Sequence, residues 1–349
     1  RAGRPLVWVG GGARDAGEAV GRLAERLAAP VLTTYGARGV LPPAHPCAVG
    51  FPPHVPAAGA LWDEADAVVA VGSDLDGMNT QNWAQPQPPV LVAVNLDPAD
   101  ATKNYAADVV LATDADAGCR ALAAALSPRT GLRALEDRLR AVRADACREL
   151  DEDGLRFLDA VSHALPPEAV VVADMCIPGY WLAGFRTFAA PRRLQYPMGW
   201  GTLGYAFPAS IGAALAGGGP VVSFSGDGGF LFACGELATV AQEGLPLTAV
   251  VVDDGGYGML RHDQDRQGVE RHGVDLRTPD FAALAAAFGI RAETVDGLDD
   301  AFGEALAAQV ADPAPSLLAV RARSLRPPPT TSPEWYRPRR APAAPPATA

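Results

Sequence analysis

The sequence predicts an α/β protein made of two open parallel-sheet domains flanked by helices. Three observations carry this expectation. Short apolar runs of strand length recur along the chain, apolar at consecutive rather than alternate positions, as strands buried on both faces require. Segments of helical period separate them, which is the alternation of a parallel sheet. The chain has 349 residues, 49% of them hydrophobic, enough for two substantial cores.

The first domain is read over residues 1–128. Leu6-Val7-Trp8-Val9 opens it as a strand, Gly10-Gly11-Gly12 turns the chain, an amphipathic helix runs to about Ala29, and Val31-Leu32 returns. Ala67-Val68-Val69-Ala70-Val71, Val90-Leu91-Val92-Ala93-Val94 and Asp108-Val109-Val110-Leu111 are further buried strands. Residues 129–154, with Arg133, Leu135, Leu139 and Val142 amid alternating charges, read as a solvated linker helix.

The second domain is read over 155–325. Val170-Val171-Val172-Ala173-Asp174 is its first strand, and Pro208 stands near the start of a helical run through Ala216. Pro220-Val221-Val222-Ser223-Phe224-Ser225 and Leu247-Thr248-Ala249-Val250-Val251-Val252 are two more strands, joined by a helix over roughly 231–243 that Gly244 and Pro246 close. Phe281-Ala282-Ala283-Leu284-Ala285 reads as a packing helix and Ser316-Leu317-Leu318-Ala319-Val320 as a late strand. Residues 326–349 form a Pro/Ala-rich tail, in which Trp335 and Tyr336 are expected to anchor one segment over the site.

Composition narrows the function. A formal charge of −11 argues against nucleic acid or an anionic membrane as partner. Five cysteines, at 47, 119, 147, 176 and 234, form no metal-type spacing and suit reduced thiols in a cytoplasmic protein. No apolar stretch is long enough to span a membrane. Cys176 reads as a small buried hydrophobe. His262 and His272 fall in a charge-dense stretch expected to be a solvated loop, and His45, His54 and His163 show no partner.

The chemistry concentrates in two turns. Gly226-Asp227-Gly228-Gly229 follows one strand of the βαβ unit and Asp253-Asp254-Gly255-Gly256-Tyr257-Gly258 follows the next. Crossovers are right-handed and ligands collect at the carboxyl ends of parallel strands, so Asp227 and Asp254 should meet. Gly226, Gly228 and Gly229 let backbone N–H groups approach an anion at a helix start. Two carboxylates beside such a cradle suit Mg²⁺, which takes hard oxygen ligands and sits between carboxylates and phosphates; Asp227, Asp254 and the Gly256 carbonyl are the candidate ligands.

These turns, with Leu237-Ala238-Thr239, Leu245-Pro246 and Gly255-Gly256-Tyr257-Gly258-Met259, resemble the thiamine-diphosphate-dependent enzymes, in the acetolactate synthase and 2-oxo acid decarboxylase branch. Gly199-Trp200-Gly201-Thr202-Leu203-Gly204-Tyr205-Ala206-Phe207-Pro208-Ala209 is similar to the family's segment beneath the bend of the cofactor. The resemblance implies that the Gly201 carbonyl and Leu203 N–H pair with the aminopyrimidine, that the Leu203 side chain wedges the rings apart, and that Tyr257 and the 226–229 turn border the cofactor. It implies diphosphate contacts from the loop after Asp174, where Cys176-Ile177-Pro178 replaces a polar Gly-Gln-His or Gly-Asn and leaves only the Cys176 and Ile177 N–H groups to donate beside a more apolar substrate wall. The family usually has Asn-Asn or Asn-Asp where Asp253-Asp254 stands, so one more negative charge is expected in the pocket. Acetolactate synthases generally have Gln-Trp where this chain has His262-Asp263.

The first domain is similar to the family's central domain, through Asn95-Leu96-Asp97-Pro98 and Lys103-Asn104-Tyr105. Some relatives bind FAD or ADP there. Gly10-Gly11-Gly12 lacks the full Gly-x-Gly-x-x-Gly continuation, and Arg14-Asp15 follow, so a structural turn is favoured over an FAD site. The family's activating glutamate belongs to an N-terminal pyrimidine domain, usually of the opposing subunit, which no segment here matches. The chain is therefore expected to be a fragment or partner-dependent half of a lyase or carboligase on a 2-oxo acid, inactive alone and working as a homodimer or homotetramer. Acetolactate-synthase-like condensation leads; 2-oxo acid decarboxylation, 2-hydroxyacyl-CoA cleavage and a non-catalytic cofactor-binding or assembly module are the alternatives.

Overall fold

The first sheet is assembled from β1 (Pro5–Val9), β2 (Val31–Thr33), β3 (Ala67–Val71), β4 (Leu91–Asn95) and β5 (Val109–Ala112), all parallel, in the order β2-β1-β3-β4-β5. The second contains β6 (Val170–Ala173), β7 (Leu194–Gln195), β8 (Val221–Gly226), β9 (Leu247–Asp253), β10 (Arg291–Asp296) and β11 (Ser316–Arg321), also parallel, in the order β10-β11-β9-β8-β6-β7. These elements come from a computed structural model that describes residues 2–329; Trp335 and Tyr336 lie outside the described residues. The chain divides into two units, the first ending at Glu149 and the second running Leu150–Pro328.

Burial explains why the strands read so plainly. Every residue of β1 and β6, and all of β8 except Gly226, is buried, so these strands carry apolar side chains with only the small Ser223 and Ser225 of β8 as polar exceptions. Phe224 of β8 meets Phe157, from the helix Glu152–Ala164, at 6.3 Å between ring centroids. On the opposite face Phe230 packs between Phe207, tilted at 5.0 Å, and Phe281, edge-on at 5.8 Å. That row of rings fixes three helices to the sheet, Ala206–Ala216, Asp227–Leu231 and Phe281–Ala287, each ring burial contributing about 1.5–3 kcal/mol.

Several boundaries differ from the sequence reading. Residues 129–154 are not one joining helix: Leu132–Arg148 packs on Pro56–Glu64 within the first unit, and Glu152–Ala164 starts afresh in the second, capped by the Asp151 carboxylate. The stretch 231–243 is broken into the end of Asp227–Leu231, a 3₁₀ turn at Cys234–Glu236 and the helix Leu237–Glu243, which ends on Gly244 at φ 58°. His262 lies in the helix Gly258–Gln267 rather than in a loop.

In the second sheet β6 and β8 are neighbours, yet the chain leaves β6 toward β7 at one edge and leaves β8 toward β9 on the other side. The carboxyl ends of this pair therefore flank a topological switch point, where open parallel sheets leave a crevice for ligands.

Candidate active site

Three adjacent strands, β9, β8 and β6, deliver acidic residues to one edge: Asp254 directly after β9, Asp227 directly after β8, and Asp174 directly after β6. A cavity of about 250 Å³ opens there. Every residue read from the sequence as touching the diphosphate, the rings or the metal lines it: Cys176, Ile177, Gly201, Leu203, Gly226, Asp227, Gly228, Gly229, Asp254, Gly256 and Tyr257. Met259 of the same turn lines it as well, and Asp174, Tyr180, Leu260 and Leu325 line it without having been singled out by sequence.

Asp227 is 1% exposed. Its Oδ1 accepts the Gly228 N–H at 2.7 Å and its Oδ2 the Gly255 N–H at 3.0 Å, which ties the two acidic turns together. Burial pushes its carboxyl up to about 7, and the nearby Asp254 and Asp253 charges push the same way against the Gly228 N–H. Burial also raises Asp254, a shift opposed by Arg261. A buried carboxylate and a half-buried one facing one cavity are the environment that a hard divalent cation relieves, and they suit two places in an octahedral shell. Among the described residues no group of three His, Cys, Asp or Glu side chains is placed to hold a metal, so the remaining ligands must be carbonyl, phosphate or water. The Gly256 carbonyl stands at this turn, already accepting the Gly258 N–H at 3.1 Å.

The glycines are required by close approach. A Cβ on Gly258 would lie 2.1 Å from Asp254 Oδ2, so the carboxylate rests on the first residue of a ten-residue helix, where the dipole favours it. A Cβ on Gly228 would lie 2.5 Å from the Tyr257 ring, so the second turn closes over the first.

Asp253 corrects an expectation. Its side chain does not line the cavity; it accepts the Thr278 hydroxyl at 3.0 and 3.2 Å and shares the Gly255 N–H with Asp227 at 3.0 Å. Successive strand residues point to opposite faces, so the surplus carboxylate acts on Asp227 from behind. A second correction concerns the loop after β6: the Cys176 N–H is bonded to the Asp174 carbonyl at 2.8 Å, which leaves Ile177 as the uncommitted donor of the two. Burial drives the Cys176 thiol well above its ordinary range, in keeping with an inert hydrophobe.

Asp174 is the residue that sequence reasoning passed over. Fully buried, it accepts N–H groups from Tyr205 at 2.8 Å, Ala206 at 2.7 Å and Gly204 at 3.3 Å, which caps the helix Ala206–Ala216 and holds the 201–204 turn against β6. Gly201 takes φ +61° in that turn, and Leu203 stands 40% exposed at the cavity rim. A capping carboxylate 32 residues before its helix leaves no local sequence signal.

Comparison with known proteins agrees with this geometry. Residues 1–122 match the model described as thiamine pyrophosphate enzyme, central domain, and residues 175–320 match thiamine pyrophosphate enzyme, C-terminal TPP binding domain. A probable 2-ketoarginine decarboxylase of Pseudomonas aeruginosa is 37% identical over 307 residues, covering 85% of this chain and 54% of that protein. An acetolactate synthase of Mycobacterium bovis is 31% identical over 334 residues, covering 87% and 53%. The thiamine diphosphate-dependent 4-hydroxybenzoylformate decarboxylase of Rhodococcus jostii RHA1 superimposes with a TM-score of 0.73 over 92% of this chain and 62% of that one; at 23% identity this speaks to the fold. The chain spans about half the length of the curated relatives it matches. It belongs to the thiamine-pyrophosphate-dependent enzymes, and it carries the family's central domain and its C-terminal cofactor-binding domain.

Proposed function

We propose that this chain supplies the metal and diphosphate half of an Mg²⁺- and thiamine-diphosphate-dependent enzyme that removes the carboxylate from a 2-oxo acid. The observation that carries the reading is the pair of carboxylates, buried Asp227 and half-buried Asp254, facing one glycine-lined cavity at the switch point. When bound, the cofactor supplies a carbanion and an electron sink for breaking a bond beside a carbonyl. The protein's share is placement. Asp227, Asp254 and the Gly256 carbonyl hold the metal; the 226–229 turn and the Ile177 N–H receive the diphosphate; Ile177, Leu203, Met259, Leu260 and Leu325 give the reacting carbon an apolar wall.

Simple decarboxylation is supported better than acetolactate-synthase-like condensation. The relative named as a decarboxylase is 37% identical against 31% for the acetolactate synthase, and His262-Asp263 departs from the Gln-Trp of the condensing enzymes. Proton exchange at the aminopyrimidine requires a glutamate from a pyrimidine domain, in the same protein or in a second subunit of a homodimer or homotetramer, and a cytoplasmic setting suits the chemistry. The test is CO₂ release from 2-ketoarginine and from pyruvate, with Mg²⁺ and thiamine diphosphate, by the chain alone and after a pyrimidine domain is joined to it. No turnover alone, and CO₂ release once the domain is joined, is the expected result. Robust turnover by the chain alone would overturn the reading, and acetolactate as the main product from pyruvate would restore condensation.

A further inference from the structure

The helix Gly258–Gln267 carries one cation back to the metal turn. Arg261 Nη1 donates to the Asp254 carbonyl at 3.1 Å, Nη2 lies 3.5 Å from Asp254 Oδ1, and Nε pairs with Asp275 Oδ1 at 3.0 Å. The guanidinium also fills the space beside Gly256, where a Cβ would lie 2.8 Å from Nη2. Asp275 stands on a segment bridged to the same turn: the Tyr257 N–H donates to the Val274 carbonyl at 2.8 Å, and the Leu276 N–H to the Gly255 carbonyl at 2.9 Å. Arg261 is not among the residues lining the cavity, so it stands behind Asp254, on the side away from the ligand.

We propose that Arg261 is a positioning residue for the diphosphate: from its contacts with the Asp254 carbonyl and carboxylate, its charge offsets the surplus negative charge that Asp253 brings to the turn, at the expense of the bare metal. This rests on the reading that Asp227 and Asp254 hold the metal. Three carboxylates stand at the ends of β8 and β9, at 227, 253 and 254, and the cations acting on Asp254 are Arg261 and Arg323. A fixed guanidinium behind Asp254 repels a bare divalent cation and attracts a polyanion. The two ligands therefore feel it with opposite sign, which mere bracing of the turn would not produce. The consequence is functional: Arg261 disfavours metal alone and favours diphosphate.

Calorimetry on the whole chain separates these outcomes, with Mn²⁺ alone as one titrant and thiamine diphosphate at saturating Mg²⁺ as the other. Arg261→Met is expected to tighten Mn²⁺ alone and weaken thiamine diphosphate, each by about tenfold, while Arg261→Lys stays within about threefold of wild type for both. Asp253→Asn is expected to move both affinities the other way, which keeps the test open if Arg261→Met fails to fold. Movement of both affinities in one direction, or of neither, would overturn the role of Arg261. Asp227→Ala serves as the control on the underlying site: retention of both affinities in that variant would remove the metal reading itself, whatever Arg261 does.

Discussion

The two units carry the same device with different chemistry. In the first, β1 and β3 are neighbours whose connections leave in opposite directions, so a switch point opens between Gly10-Gly11-Gly12 and Gly72-Ser73-Asp74, as one opens between β6 and β8 in the second. A cavity of about 290 Å³ lies there, of similar size to the 250 Å³ cavity of the second unit. Its rim is acidic, with Asp74, Asp76 and Asp100, and its lysine is committed: Lys103 Nζ pairs with Asp74 at 3.0 Å and Asp100 at 3.5 Å. Its glycines serve the protein itself, since a Cβ on Gly10 would lie 2.3 Å from the Gly72 carbonyl oxygen. In the second unit Asp227 and Asp174 are buried and Asp254 is half-buried, and they meet an apolar wall under short glycine turns. Topology makes a crevice in both; burial of the carboxylates and the neighbours of the glycines decide which one suits a metal-bound diphosphate.

The sharpest way to break this comparison is to remove one carboxylate from each crevice. Asp227→Ala should abolish metal-dependent thiamine diphosphate binding, a loss of about a thousandfold or about 4 kcal/mol. Asp74→Ala should leave that binding unchanged, both measured by calorimetry. Next in size is the brace of the second crevice. Asp174→Ala strands three backbone N–H groups and should lower stability by about 3 kcal/mol in urea denaturation, with thiamine diphosphate binding weakened as the 201–204 turn loosens. Smaller still, Asp254→Asn should keep binding within about tenfold because an amide oxygen remains to ligate, whereas Asp254→Leu should remove it; equal effects would mean that the turn is only structural.

A separate effect is in pH. The Asp227 carboxyl, raised to about 7 in the folded chain, holds a proton that the unfolded chain releases near 4, so its contribution to stability is present below pH 4 and lost as pH rises through 7. Metal-free second-unit stability should therefore fall between pH 4 and 7 through this group, and Asp227→Asn should flatten that slope in denaturation curves taken across the range.

How much was legible in the sequence follows from where each signal is stored. Strands buried on both faces announce themselves as apolar runs interrupted at most by Ser or Thr, so β1, β6, β8, β9 and β11 were readable. The edge strands were not: β7 has two residues, and β10, Arg-Ala-Glu-Thr-Val-Asp, pairs only with β11 and leaves its charged residues exposed. At the site the acidic turns were readable because metal chemistry and tight backbone both demand unusual residues at fixed places. Asp174 and Arg261 were not, because each acts on a segment that only the folded chain brings to it. The side that Asp253 faces was likewise hidden, since alternation along β9 settles it only once the register is fixed.

Hydrogen–deuterium exchange on the whole chain, with and without Mg²⁺ and thiamine diphosphate, tests the central claim most directly because it reads both crevices in one experiment. The account predicts slowed exchange at residues 226–229 and 254–258, lost in Asp227→Ala, with 10–12 and 72–76 unchanged. Protection at the first-unit turns, or protection at the second that persists in Asp227→Ala, would contradict it.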